Sequence, residues 1–493
     1  MTNPSARTSA EVRAQLDHPI VDADGHLVEC PPVLLDFLRQ VGGPRMAERY
    51  VQRMNDGAWG NWRTLSAQER KDRGVIRRPF WNMTSHTLDR ATALLPNLLR
   101  ERLDEFGIDF QILYPSVGIP FISGTIDAEL RQAMCRALNL MYAEIFRGHE
   151  SRITPAATIP THTPAEALAE MEFAFGTLGL KTAMIAGTVQ RPLKAVAQVA
   201  PDMAPYAYWI DPLALDSEYD YDPVWRRFVE FGVSPATHNN GTSWGARRSS
   251  SNYVYNHIGH FAAAAEAFAK ALVLGGVTRR FPTLRFGLLE GGCGWAANLY
   301  NDLCEHFEKR NVDALRKNLN PGLVDRTALR GYFEKYGDAR FRAVAEAVEK
   351  GWDSAIQSPG GDEPEPSDDF AASGIRKVRD IAHVFTENFY FGCEADDRMT
   401  AVAFDPRINH RGIKLKAMLG SDIGHWDVTE MNGMLAEAHE LVDAGLLTAG
   451  DFRAFAFTNA AELHASMNPR FFAGTVVEDA VRKAGIGAAA VTA

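Results

Sequence analysis

Eight short apolar runs, at 18–24, 108–114, 152–158, 180–186, 231–237, 284–290, 388–393 and 415–421, alternate with longer stretches whose apolar residues recur at helical spacing. The helical stretches include 127–147, 164–177, 261–273, 294–310 and 430–444. Strands that alternate with helices must pair in parallel, because the helix carries the chain back to the same sheet edge. Eight such strands predict an α/β chain folded as a (β/α)8 TIM barrel. One helix start is readable in detail. In Thr163-Pro164-Ala165-Glu166, Thr163 is the expected N-cap, Pro164 the first helical residue and Glu166 the residue at N3.

A barrel of this kind uses about 250 residues. The chain has 493, so nearly half of it is expected as insertion. Three regions absorb the excess. Residues 40–95, rich in Trp, Arg and Met without a clean strand, fit a cap over the strand ends. Residues 199–225 interleave Tyr206, Tyr208, Trp209, Tyr219, Tyr221 and Trp225 with aspartates and are expected to form an aromatic wall. Residues 311–380 form a helical and disordered insertion, since the Pro, Gly and acid content of 358–369 cannot support a packed core. The expected organisation is one barrel domain over 18–470, with terminal extensions at 1–17 and 474–493.

Composition excludes more than it identifies. A net charge of -10 and a pI near 5.8 lack the basic footprint of a nucleic-acid binder. No apolar run reaches the roughly 18 residues of a membrane span, and the N-terminal residues carry no secretory h-region. Five scattered cysteines without CxxC spacing read as reduced thiols, so a cytoplasmic location is expected. No phosphate-cradling Gly motif or nucleophile-elbow serine follows a strand. A small-molecule substrate is the expected partner, and the helical exterior of a barrel allows a homodimer.

Chemistry in barrels sits at the C-terminal strand ends. The first strand ends in Asp22-Ala-Asp24-Gly-His26-Leu-Val-Glu29. Side chains alternate along a strand, so Asp22, Asp24 and His26 project from one side. Carboxylate and imidazole are ordinary ligands of a divalent ion such as Zn or Mn. The fifth strand ends in His238 and the eighth in Asp422. Asp24, His26, His238 and Asp422 are therefore the expected metal ligands, with Asp22 supporting them from deeper on the strand and Glu29 at the rim.

These strand ends resemble the amidohydrolase superfamily, in its amidohydrolase-related branch that includes aminocarboxymuconate semialdehyde decarboxylase and nonoxidative aromatic acid decarboxylases. The carriers are Val21-Asp-Ala-Asp-Gly-His26, Ala236-Thr-His238, the segment Arg280 to Trp295, Leu419-Gly-Ser-Asp422-Ile-Gly-His425 and Phe457-Thr-Asn-Ala-Ala-Glu-Leu463. The resemblance implies a metal-dependent barrel enzyme, with Asp24 and His26 in place of the family's His-x-His or Glu-x-His pair. It also marks a departure. Family decarboxylases usually carry a histidine on strand six, where this chain has Glu290-Gly-Gly-Cys-Gly-Trp295.

That departure favours hydrolysis of an amide, ester or activated C–C bond in a small organic, aromatic acid, using a metal-activated water with Asp422 taking its proton. The alternative is nonoxidative decarboxylation of an aromatic or enol acid at the same metal. Glu290 either protonates the leaving group or holds an arginine. His425, His257 and His260 are the substitutes for the absent histidine; for His257 and His260 the alternative is to cap or pack the helix they begin. Arg247 and Arg248 either clamp an anionic substrate or form a solvated basic turn.

Overall fold

The computed structural model describes residues 7–56, 62–79, 83–124, 127–203, 207–238, 240–354 and 368–487. The strands, in chain order, are β1 (Val21–Leu27), β2 (Phe110–Pro115), β3 (Ile153–Pro155), β4 (Ala157–Ile159), β5 (Ala183–Ile185), β6 (Val189–Pro192), β7 (Tyr208–Asp211), β8 (Pro235–Thr237), β9 (Phe286–Leu288), β10 (Phe389–Cys393) and β11 (Lys416–Leu419). Apart from the antiparallel ribbon β6–β7, every pairing is parallel.

The parallel strands run β1-β2-β3 and β4-β5-β8-β9-β10-β11. Only Ala156 separates β3 from β4, so one extended segment pairs with β2 through its first half and β5 through its second. Across the remaining gap, Asp422 N donates to Asp24 O at 2.9 Å and His26 N to Ile423 O at 3.0 Å. These bonds join the segment after β11 to β1 and close the α/β barrel. Strands of a closed parallel sheet are covered on both faces. Accordingly, every residue of β1, β2 and β10 is buried, including the polar Asp22, Asp24 and His26.

All eight apolar runs contain a barrel strand, with shifted ends. β1 extends past Asp24 to Leu27 because the β11 segment supplies partners for its last residues. β8 begins only at Pro235, since 222–231 is helical and Gly232 ends that helix in the left-handed region at φ 65°. The helix at 164–171 begins as expected, with Thr163 accepting from Glu166 N; the Glu166 carboxylate pairs with Arg131 at 2.7 Å. Residues 172–177 continue as a π turn.

The aromatic segment differs from expectation. Trp225 and Tyr221 are buried, and Trp225 packs against Phe228, Phe268 and Phe286 in the core behind the strands. Tyr208 and Trp209 lie on β7, and Tyr206 falls outside the described residues. The strongly amphipathic helix 222–231 explains this, because its apolar face carries Trp225 and Phe228 inward.

Residues 302–381 form a compact unit distinct from the rest. It is helical where described, with helices at 326–336, 339–343 and 345–349. Arg330 links Glu334 and Glu349, and Phe333 meets Phe341 edge to face. The acidic Pro/Gly stretch 358–367 lies outside the described residues. Among the described residues no helix is long and apolar enough to cross a membrane.

Candidate metal centre

The ends of β1, β8 and β11 bring four of the expected side chains into one buried cluster. Asp24 Oδ1 lies 2.8 Å from His238 Nε2 and 3.3 Å from His26 Nε2, and His26 Nε2 lies 3.2 Å from Asp422 Oδ1. His425 joins them, with Nδ1 2.7 Å from Asp422 Oδ1 and its ring stacked on His26 at 3.9 Å. Potential ligand atoms of Asp24, His26 and His238 fall within 4.8 Å of one another, as do those of His26, Asp422 and His425.

Neither ring nitrogen of His26, neither carboxylate oxygen of Asp422, nor His238 Nδ1 has a hydrogen-bond partner. Buried polar atoms are normally bonded, so such a group of exceptions needs an explanation. Lone pairs of His26 Nε2 and the Asp422 carboxylate directed at a common cation account for those that face the cluster, and carboxylate with neutral imidazole is a donor set that divalent ions accept. Burial pulls His26 down to about 3. It therefore stays neutral at pH 7, as a ligand must. Burial pushes Asp24 up, but the His238 and His26 imidazoles outweigh it and hold the carboxylate below its ordinary range. The residues present fit one divalent ion.

Backbone geometry positions this cluster. Asp422 and Glu290 both occupy the left-handed region, at φ 47° and 57°, which non-glycine residues adopt at a cost of roughly 1–3 kcal/mol. Gly424 turns the chain after Asp422 at φ 114°, where a Cβ would stand 2.9 Å from His26 O. Asp22 is fully buried but directs its oxygens elsewhere: Oδ1 accepts from Ser421 N and Asp24 N, and Oδ2 from Ser421 Oγ and Gln111 Nε2. It ties β1 to β2 and to the β11 segment. Burial raises Asp22 to about 6 against those hydrogen bonds. Glu29 is also buried, accepting from Val117 N and Tyr142 Oη.

The Glu290 carboxyl is buried 3.8 Å from His425 Nδ1, and its Oε2 has no partner. Burial, then Asp422 and Asp24, push it well above the ordinary carboxylate range. No described arginine pairs with it, so the arginine-holding role is not what the structure contains. Asp422 is likewise raised, by burial and by Asp427 and Glu394.

His257 and His260 lie edge to face at 4.8 Å on the wall of a cavity of about 520 Å³. Arg247 and Arg248 do not reach it. Arg247 donates to Gly259 O, past the helix at 253–257, and Arg248 to Ser243 O in its own loop. Two residues that the sequence reading passed over do line it. Ser116 follows β2 and its Oγ is 2.9 Å from His425 Nε2. Arg78 belongs to the 40–95 region. The strand-end rule applied to the second strand would have marked Ser116; no motif marks Arg78.

Residues 115–312 match the amidohydrolase family model. The matched segment contains the motifs at Ala236–His238 and Arg280–Trp295, and the resemblance to the amidohydrolases is borne out there. No curated relative matches the chain. Among solved structures, an amidohydrolase from Mycobacterium avium subsp. paratuberculosis is 16% identical, with 91% of this chain and 99% of that one covered and a TM-score of 0.49. A 5-carboxyvanillate decarboxylase from Novosphingobium aromaticivorans, described with bound manganese, is 13% identical over 92% and 98%, with a TM-score of 0.49. A 2,6-dihydroxybenzoate decarboxylase from Rhizobium is 14% identical over 91% and 98%, at 0.46.

Proposed function

We propose that the protein is a metal-dependent carboxy-lyase acting on an aromatic or enol carboxylic acid, with one divalent ion, Zn or Mn, held by Asp24, His26, His238 and Asp422. The observation that carries this reading is the position of His425. Strand six lacks the histidine that decarboxylases of the resembling branch use. His425 brings an imidazole to the same cluster from the segment after β11, stacked on His26 and spanning Asp422 and Ser116.

The bound ion would supply positive charge to a substrate carboxylate and its neighbouring phenol or enol oxygen. The side chains manage the proton. Ser116 faces the cavity and His425 contacts it through Nε2, forming a route to the substrate, with Asp422 2.7 Å from the other ring nitrogen. In the reaction the bond from ring carbon to carboxylate breaks and its electron pair stays on the carbon. That carbon takes a proton delivered along the route, and carbon dioxide leaves. Glu290, whose pKa burial pushes up, stands beside His425 as a second proton source.

Hydrolysis, the reaction favoured by sequence alone, is the second reading and has the family match over 115–312 in its favour. One experiment separates them. Manganese-loaded protein is incubated in heavy water with hydroxybenzoic acids, and in parallel with aryl amides and esters. The expected result is carbon dioxide with one deuterium on the former carboxyl-bearing carbon. Hydrolysis products without carbon dioxide would overturn the proposal. His425→Gln should lower turnover by about a hundredfold or more with metal content retained; loss of the metal instead would make His425 a ligand and remove the observation on which the reading stands.

A further inference from the structure

The cavity beside the cluster has an unusual charge balance for a chain of net charge -10. Among the described residues its wall contains Arg53, Arg77 and Arg78 and no aspartate or glutamate. The rest is largely apolar or neutral, with Ile76, Phe121 and Tyr253 among the lining residues. None of Asp24, His26, His238 and Asp422 lines this space; its connection to them runs through Ser116.

The three arginines differ. Arg53 is exposed, and Arg77 stacks on the Trp62 ring at 4.5 Å. Arg78 has no such occupation. Its Nε is enclosed and takes no hydrogen bond, and no described carboxylate pairs with it. Burial pulls its guanidinium below the ordinary arginine value, opposed only by Tyr253. Arg78 is half-buried: its Nε is enclosed, while the rest of the guanidinium is left free to meet an anion in the cavity.

The segment presenting Arg78 is also fixed in place. Arg77 N donates to Ser249 O at 2.9 Å, and the buried Asn256 donates through Nδ2 to Arg77 O at 3.1 Å and to Ser249 O at 2.7 Å. Asn256 Oδ1 accepts from Ser249 N at 2.7 Å. These bonds fix the backbone of Arg77, from which Arg78 follows, and so set where the Arg78 side chain leaves the chain.

We propose that Arg78 is an anion-binding residue of this cavity and receives a carboxylate that the substrate carries in addition to the group held at the metal cluster. The inference rests on the carboxy-lyase reading for the identity of the ligand and narrows it to acids with two separated acidic groups. A carboxylate on Arg78 would pair with the fork of the guanidinium and restore the missing charge. A cavity of about 520 Å³ accommodates a substituted aromatic ring between Arg78 and Ser116.

The test compares benzoate with the 1,3- and 1,4-dicarboxylates of benzene by titration calorimetry on manganese-loaded protein. At least one dicarboxylate is expected to bind about tenfold or more tightly than benzoate, the worth of a hydrogen-bonded charge. Arg78→Met should reduce that ratio to near one with manganese content unchanged, and Arg78→Lys should restore part of it. Dicarboxylates that bind no better than benzoate, or an unchanged ratio in Arg78→Met, would each overturn the inference. The two readings fail separately. Arg78-dependent binding without carbon dioxide release from any acid sinks the carboxy-lyase alone, whereas decarboxylation with unaltered kcat and KM in Arg78→Met sinks the anion site alone.

Discussion

Arg191→Met should be among the most destabilising single substitutions in this chain. Arg191 lies on β6, buried, and its guanidinium donates in three directions: Nε to Asp211 Oδ2 at 2.8 Å, Nη1 to His162 O at 2.5 Å and Nη2 to Tyr221 Oη at 2.9 Å. Its partner Asp211 is fully buried on β7. The other donors to Asp211 are neutral, Leu213 N at 2.8 Å and Ser217 Oγ at 2.7 Å. Methionine fills much of the arginine's volume, so the cavity contribution is small and the electrostatic one dominates. A buried carboxylate left without its counter-ion costs about 3–5 kcal/mol. The Asp211→Asn variant leaves the reverse problem, an unpaired guanidinium, and should cost a similar amount. In the double variant neither charge remains. Its loss should fall at least about 2 kcal/mol short of the sum, because the residues share one network. Urea unfolding followed by tryptophan fluorescence measures all three, compared at equal slope. A single-variant loss below about 1 kcal/mol, or two losses that add, would refute the reasoning that this pair stands or falls together.

Three further outcomes are expected. His464 is buried against Phe471 with neither ring nitrogen bonded, and burial, then Lys181, bring it down to about 3. The unfolded imidazole takes a proton below pH 6.5 and the folded one does not, so stability present above pH 6.5 is lost as pH falls toward 3, by about 2 kcal/mol at pH 5. His464→Phe should flatten that part of the urea-midpoint profile between pH 7 and 5; an unchanged slope would contradict it. His238→Ala should abolish stoichiometric manganese uptake in elemental analysis, and equal uptake by variant and natural protein would count against the ligand set. Gly25→Ala would place a Cβ 2.2 Å from Gln111 Nε2 and 2.8 Å from Asp22 Oδ2. Displacing that hydrogen bond should lower stability by about 1–3 kcal/mol, and a melting temperature equal to that of the natural protein would refute the close approach.

What the sequence made legible follows from what each element needs. Barrel strands are covered on both faces, so they must be apolar runs, and 108–114 or 388–393 can be recognised as such without context. Their ends could not be read, because Leu27 and Pro235 are set by partners distant in sequence and by the left-handed Gly232. The same division holds at the site. Asp24, His26, His238 and Asp422 meet because each follows an apolar run at a strand's C-terminal end, a position topology alone brings to one rim. The insertions obey no such rule. Tyr221 and Trp225 looked like a wall because aromatic residues alternate with aspartates there, yet the helix 222–231 turns Trp225 into the core. Arg247 and Arg248 looked like a clamp because they are adjacent and basic, but each bonds a backbone carbonyl, Gly259 O and Ser243 O, and neither lines the cavity. Arg78 sits in an equally basic neighbourhood, Arg77-Arg78, and differs in that Ser249 and Asn256 hold the backbone of Arg77 beside it and no described carboxylate pairs with its side chain. Charge is visible in sequence, whereas the absence of a partner exists only in three dimensions. A cation capable of selecting a substrate is one the fold has left unpaired, and for that reason specificity becomes readable here only after the chain has closed around it.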